Sequence, residues 1–166
     1  MAFSHMFLLI LLSCTLLHHG HARPSRSRKA VVGQVCLRGI KSHKKCYLVV
    51  EQPKHYHEAN EDCIAQGGTL ATPRNLRENN ELRDYAKLSS PGNTDFWIGV
   101  TDIVKEGHYV DVNSIPITYF NWDQTKKEPT GGKRESCAVL SISAQGKWHD
   151  EVCRTERRYI CEYLIP

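Results

Sequence analysis

The chain has 166 residues, seven of them cysteine, and a formal net charge of +4. That length leaves room for one domain with a real core and none for a second. No apolar run approaches the roughly twenty residues that a membrane-spanning helix needs, which sets a membrane anchor aside.

Phe7 to Leu17 is an apolar run broken only by Ser13, Cys14 and Thr15, and it leads into Gly20-His21-Ala22, with small residues one and three places before a cut. Residues 1–22 therefore read as a secretory signal peptide. Cleavage there leaves 166 − 22 = 144 residues and removes Cys14. Six cysteines remain, an even number that in a secreted chain implies three disulfides, with 15 pairings open to sequence reasoning. Oxidised cysteines cannot act as nucleophiles or zinc thiolates. Outside the cell, nucleic acid is not an expected partner.

All of the net charge follows at once. Arg23, Arg26, Arg28 and Lys29 carry it, and 18 basic residues balance 18 acidic ones from Ala30 onward. Residues 23–35 read as a basic, disordered N-terminal arm suited to a heparin-like polyanion.

Lys45 to Val50 is rich in β-formers and predicts a strand. Tyr56, Ala59, Cys63 and Ile64 recur at helical spacing and predict an amphipathic helix that stops at Gly67-Gly68. Asn75 with Glu78 is a capping-box pair, and Leu82, Tyr85 and Ala86 supply the apolar face of a second helix ending before Pro91. Phe96 to Val100 is almost continuously apolar, as in a strand buried on both faces. An irregular region from Thr101 to Gly132 is long enough to suggest a functional loop. Cys137 to Ile142, Lys147 to Asp150 and Arg158 to Tyr163 complete the strands. Two helices among several strands make an α+β domain.

The chemistry is concentrated in Glu128-Pro129-Thr130-Gly131-Gly132-Lys133-Arg134-Glu135-Ser136-Cys137 and Lys147-Trp148-His149-Asp150-Glu151-Val152-Cys153. Glu128, Glu135 and Asp150 converge if the chain between them folds back, and clustered carboxylates suit a hard cation that takes six to eight oxygens. No nucleophile stands beside a plausible base, so an enzyme is not expected.

These two segments, the cysteine spacing, Glu58-Ala59 and Trp97-Ile98-Gly99-Val100 resemble the C-type lectin-like domain family from Cys36 to Glu162, which implies a domain over residues 36–166. His57 to Cys63, Gly131-Gly132-Lys133 and Arg158-Tyr159-Ile160-Cys161 look most like its tetranectin branch, matrix proteins that include a cartilage-derived member. The resemblance implies disulfides Cys36–Cys46, Cys63–Cys161 and Cys137–Cys153, Trp97 and Trp148 in the core, Trp122 as a loop anchor, and a cis bond at Glu128-Pro129. The trimerisation helix of that branch has no counterpart heptad in Arg23 to Val35.

Carried over by position, a first calcium site would use Asp102, Glu106, the carbonyl of Gly132 and Glu135. A second, where family lectins hold sugar on the ion, would use Glu128, Thr130, Glu135, His149 and Asp150. Thr130, Ser136 and His149 stand where the family pattern has an amide or carboxylate. Thr130 offers a short hydroxyl, and His149 offers nitrogen to a metal that prefers oxygen. Weak calcium binding is thus expected and tight monosaccharide binding is not, a calcium-dependent carbohydrate-binding lectin being the alternative. In the tetranectin branch a plasminogen kringle docks on this loop, and Lys133, Glu135 and Asp150 match the residues used, a cation flanked by anions.

Overall fold

The computed structural model describes residues 28–92 and 94–165. The expected signal peptide and the arm residues Arg23 and Arg26 lie outside the described residues, as do the side chains of Arg28 and Lys29.

The sheet is organised about its last strand, β8 (Arg157–Leu164). β8 runs antiparallel to β2 (Lys45–Lys54) and parallel to β4 (Asp95–Thr101), and the full order is β1-β2-β8-β4-β6-β7. β1 is Ile40–Ser42, β6 is Cys137–Ser141 and β7 is Lys147–Glu151. Two short strands lie off this path: β3 (Thr69–Leu70) pairs with β8, and β5 (Val110–Asp111) pairs with β4.

Side chains alternate across a strand, so β8 feeds two cores. Tyr159, Cys161 and Tyr163 pack with Trp97 and Val139 against Tyr56, Ala59 and Cys63 of helix α2 (Tyr56–Ala65). Ile160 packs with Phe96, Ile98, Leu140 and Trp148 against Leu82 and Ala86 of helix α3 (Leu76–Ser89). The sheet is covered on both faces, which explains the unbroken apolar run Phe96 to Val100. Gly99 allows the close approach: a Cβ there would lie 2.5 Å from the Thr72 hydroxyl and 2.6 Å from the Leu70 carbonyl oxygen.

Local signals agree with these helices. The Asn75 side chain accepts the Glu78 N–H at 2.9 Å, a cap worth about 1 kcal/mol. Glu58 accepts the His55 N–H at 3.3 Å at the start of α2. Ile64, expected on the buried face, is 54% exposed, although Cys63 beside it in the last turn of α2 is fully buried.

The bridges Cys36–Cys46, Cys63–Cys161 and Cys137–Cys153 are all present. The second spans 98 residues, a closure worth about 4.7 kcal/mol in the chain-entropy model.

Two regions differ from the sequence reading. A helix, α1 (Arg28–Arg38), takes in residues 28–35 of the segment expected to be a disordered arm. Its cause is apolar: Val32 and Val35 are buried in the first core, and Cys36 is tied to β2 through Cys46. The long loop is also more ordered than expected. It contains β5 and the 3-10 turns Gln124–Lys126 and Gly132–Arg134, and it is pinned to β7 where Trp148 donates its N–H to the Asn121 carbonyl and accepts that of Asp123.

Candidate functional site

The long loop and β7 together build the site. Asn79, fully buried on α3, accepts the Trp148 indole N–H at 2.7 Å and donates to the Gly146 carbonyl at 3.1 Å. Asn121 donates to the same carbonyl at 2.9 Å. The indoles of Trp122 and Trp148 meet edge-on with centroids 5.7 Å apart. Trp97, Trp122 and Trp148 are all buried, and none is available for stacking on a ligand.

Trp148 and Asp150 lie on one face of β7, and His149 and Glu151 on the other. Asp150 is 5% exposed, and its two oxygens accept the N–H groups of Thr130 and Gly131, each at 2.9 Å. This pair of bonds folds the Glu128–Gly131 segment, with its cis Glu128-Pro129 bond, onto the strand. Glu128 comes close enough to Asp150 that its carboxyl is pushed up to about 6, by burial first and then by hydrogen bonding with Asp150 and by its charge. The Thr130 hydroxyl reaches the Glu128 carboxylate only at 3.4 and 3.5 Å. Glu135 lies across Gly131, where its side chain fills the space a Cβ would need, so position 131 admits only glycine. The Glu135 carboxyl is also raised, by burial and then by the negative charges of Asp150 and Glu151.

Asp102 approaches from the end of β4. It is 2% exposed; Oδ2 accepts the Gly107 N–H at 2.8 Å, while Oδ1 is buried without a partner. Glu106 hangs over Gly132, its Oε1 3.9 Å from where a Cβ there would stand. Tyr109 lies between the two halves: burial, then Asp102, Asp150 and Glu106, raise its hydroxyl above the ordinary phenol range.

The residues expected for the first cation set, Asp102, Glu106, Gly132 and Glu135, therefore stand on adjoining segments of the loop. The second set is divided. Glu128, Thr130 and Asp150 adjoin one another, but His149 points through the other face of β7, its Nε2 3.8 Å from Glu151 and 4.0 Å from Asp95. Among the described residues no group of three or more His, Cys, Asp or Glu side chains has metal-holding geometry. Of the residues expected to dock a kringle, Lys133 is exposed, Glu135 half-buried and Asp150 buried. Asp150 cannot turn outward without releasing two backbone N–H groups.

Sequence reasoning missed two contributors. Asp111, 3% exposed, accepts the N–H groups of Asn113 and Ile115 at 2.8 and 2.9 Å and pairs with Arg74, anchoring the loop at its base. The signal was the Asp-x-Asn-Ser run, an Asx-turn pattern. Arg157 holds Glu151 at 2.6 Å and Asp95 at 3.7 Å behind His149, a cluster that no motif announced. A cavity of about 940 Å³ lies elsewhere, lined by Val32, Lys45, Ile64, Glu78, Asp111 and Glu162 among others. Its charges are already matched, with Lys45 3.2 Å from both Glu78 and Glu162.

The Lectin C-type domain model matches residues 52–163. The chain is 64% identical over 132 residues to a tetranectin-like protein of Carcharhinus perezii, covering 80% of this chain and 78% of that one. It is 61% identical over 132 residues to C-type lectin domain family 3 member A of Homo sapiens, covering 80% of this chain and 66% of that protein. Among solved structures, the mouse scavenger receptor C-type lectin carbohydrate-recognition domain superposes with a TM-score of 0.69 at 23% identity, covering 78% of this chain and 97% of that one. At that identity the likeness concerns the fold alone.

Proposed function

The chain belongs to the C-type lectin domain family, in its tetranectin branch, and from that premise we propose that it is a secreted, extracellular-matrix protein. Its long loop takes calcium weakly and binds a protein or a polyanionic glycan in preference to a simple sugar. The family is one of non-enzymatic binding proteins. Among the described residues no helix is long and apolar enough to cross a membrane.

One observation carries the calcium reading: the buried Oδ1 of Asp102 has no partner, and it lies in a loop whose carboxylates crowd one another. A buried carboxylate oxygen left unpaired is costly. Asp102, Glu106, the Gly132 carbonyl and Glu135 are the oxygen donors that would hold the ion; they are hard oxygens of the kind calcium takes, and the three carboxylates would have to draw together to hold it. Bound calcium would supply the positive charge that these oxygens lack. The second set does not fit: both Asp150 oxygens are engaged by backbone N–H groups, and His149 faces away. Sugar held on an ion at that position has no support from this geometry.

Calorimetric titration of the mature protein tests the reading. One weak calcium site is expected, lost in Asp102→Asn and retained in His149→Ala, with no binding of mannose in calcium. Two calcium sites together with mannose binding would replace this reading by the carbohydrate-receptor one. A kringle partner is favoured by one feature, the exposure of Lys133 without an ion-pair partner among the described residues. Lys133→Ala is expected to weaken plasminogen binding and leave calcium affinity unchanged.

A further inference from the structure

Ten large apolar side chains stand exposed among the described residues, and three of them, Ile64, Ile115 and Leu164, line the one cavity of about 940 Å³. Each is more than half exposed. They come from the last turn of α2, the turn that follows β5 and the end of β8, so the fold collects them and no run in the sequence does. The buried Val32 of α1 adds to the same wall. Small-molecule sites are concave spaces of roughly 300–1,000 Å³, mostly apolar, with a few polar groups that fix the ligand's orientation. This cavity has that size and that kind of wall.

Its polar groups are set by the pairing of β2 with β8. Lys45 stands opposite Leu164 in the register, and Glu162, two residues before Leu164, leaves β8 by the same face. Lys45 Nζ donates to Oε2 of Glu78 and to Oε2 of Glu162, 3.2 Å from each. The backbone donors choose the same oxygens: the Thr72 N–H reaches Glu162 Oε2 and the Arg74 N–H reaches Glu78 Oε2, both at 3.1 Å. Among the described residues Oε1 of Glu78 and Oε1 of Glu162 accept no hydrogen bond. Asp111, the third carboxylate of the lining, is fully used, holding the Asn113 and Ile115 N–H groups on Oδ1 and the Arg74 guanidinium on Oδ2. Each charge thus has a partner, but three carboxylates face only two cations, Lys45 and Arg74, an excess of one negative charge. Glu162 registers that excess. Burial raises its carboxyl above the ordinary value even though Lys45, the Thr72 N–H and Arg74 all draw it down.

We infer that this cavity binds a small amphipathic cation, an aliphatic amine whose ammonium takes the free oxygens of Glu78 and Glu162 and whose chain lies along Leu164, Ile115 and Ile64. An ammonium carries three donors and no acceptor, which suits two oxygens that only accept. Lys45 keeps its own bonds to the Oε2 atoms, and the ligand brings the lining to three cations for three carboxylates. A neutral amphiphile of the same length would gain the apolar wall and not the charge, and a carboxylate would meet the excess negative charge. The chain's own residues 23–27 carry Arg23 and Arg26 but no large aliphatic side chain, so they would gain the charge and not the wall. The inference goes beyond the calcium and partner reading of the long loop and does not depend on it.

The test is calorimetric titration of the mature protein with hexylammonium, hexanol and hexanoate near neutral pH and at low salt, with amide chemical shifts of the isotope-labelled protein reporting the place of binding. Hexylammonium is expected to bind at least about tenfold more tightly than hexanol, the difference being its charge-assisted contact. Hexanoate is expected not to bind. Butyl-, hexyl- and octylammonium are expected to tighten by about threefold per methylene while the chain still meets the apolar wall. Glu162→Gln and Glu78→Gln should each bring hexylammonium down to nearly the affinity of hexanol and leave hexanol unchanged. Ile115→Ser/Leu164→Ser, at two exposed positions, is expected to weaken both probes by about tenfold and to keep the preference for the amine. Thermal melts show which variants are folded; should a carboxylate variant not fold, the serine pair, the chain-length series and the shifts still decide. Equal binding of the three probes, or shifts at Glu128 to Glu135 in place of Thr69, Ile115 and Leu164, would overturn the inference. So would amine binding that tightens when residues 23–27 are deleted, which would make the basic arm the occupant. Affinity for hexylammonium is expected to be the same in calcium and in EDTA, so failure of this site leaves the calcium reading standing, and an absence of calcium binding leaves this site standing.

Discussion

Glu128 is the residue at which the electrostatics of the loop can be measured directly. Burial and the adjoining Asp150 raise its carboxyl from an ordinary 4.5 to about 6. A raised pKa means that the folded state favours the proton. The resulting stabilisation is full below the unfolded value and is lost as pH rises through 6, so at pH 7.5 the ionised Glu128 is a destabilising group. At about 1.4 kcal/mol per pKa unit, the full effect is about 2 kcal/mol. Solvent screening of a half-buried group reduces it to about 1 kcal/mol. Glu128→Gln keeps the shape and removes the charge. In calcium-free buffer at pH 7.5 the variant is expected to melt roughly 3 °C above wild type, and the difference should shrink toward zero near pH 4.5, where wild type is protonated too. Circular dichroism melts from pH 4.5 to 8 measure it. A variant less stable than wild type at pH 7.5, or an offset independent of pH, would refute the reasoning. The first result would mean that Glu128 is held by favourable bonds, the second that charge is irrelevant.

Two further predictions concern the scaffold. Asn79→Ala leaves the buried Trp148 indole N–H without its acceptor and is expected to cost about 3 kcal/mol in urea unfolding; it should also weaken calcium binding, because Trp148 positions β7, whereas a cost below 1 kcal/mol would mean that Trp148 finds another partner. Removing the Cys63–Cys161 bridge, which spans 98 residues, is expected to cost about 4.7 kcal/mol, against about 2.7 kcal/mol for Cys36–Cys46, which spans 10; equal costs in the paired alanine variants would show that loop length does not govern their contribution.

The elements legible in the sequence are those whose signal is local. Asn75 with Glu78 announces the start of α3, and the period of Tyr56, Ala59 and Cys63 announces α2. The run Phe96 to Val100 announces a strand with no exposed face. What escaped depends on distant partners. Val32 and Val35 look unremarkable beside a block of arginines, and they are buried in a core shared with Tyr159 and Tyr163, more than a hundred residues away. β3 and β5 are two residues each and exist only because β8 and β4 offer an edge.

The site was legible as a set of residue types and not as an arrangement, and His149 shows why. A motif read along the chain places His149 beside Asp150, but in a strand consecutive side chains leave by opposite faces. Asp150 turns inward to hold two N–H groups, while His149 joins Asp95, Glu151 and Arg157 on the other side. The same rule of position over composition applies to charge. Counted along the sequence, the long loop is nearly neutral and the arm is the basic feature. Counted by depth, the loop carries its carboxylates inside and its lysines outside, because an acid with backbone N–H partners can be buried and a lysine without a partner cannot. Backbone hydrogen bonding, more than the number of lysines, therefore decides which sign the loop presents to a partner.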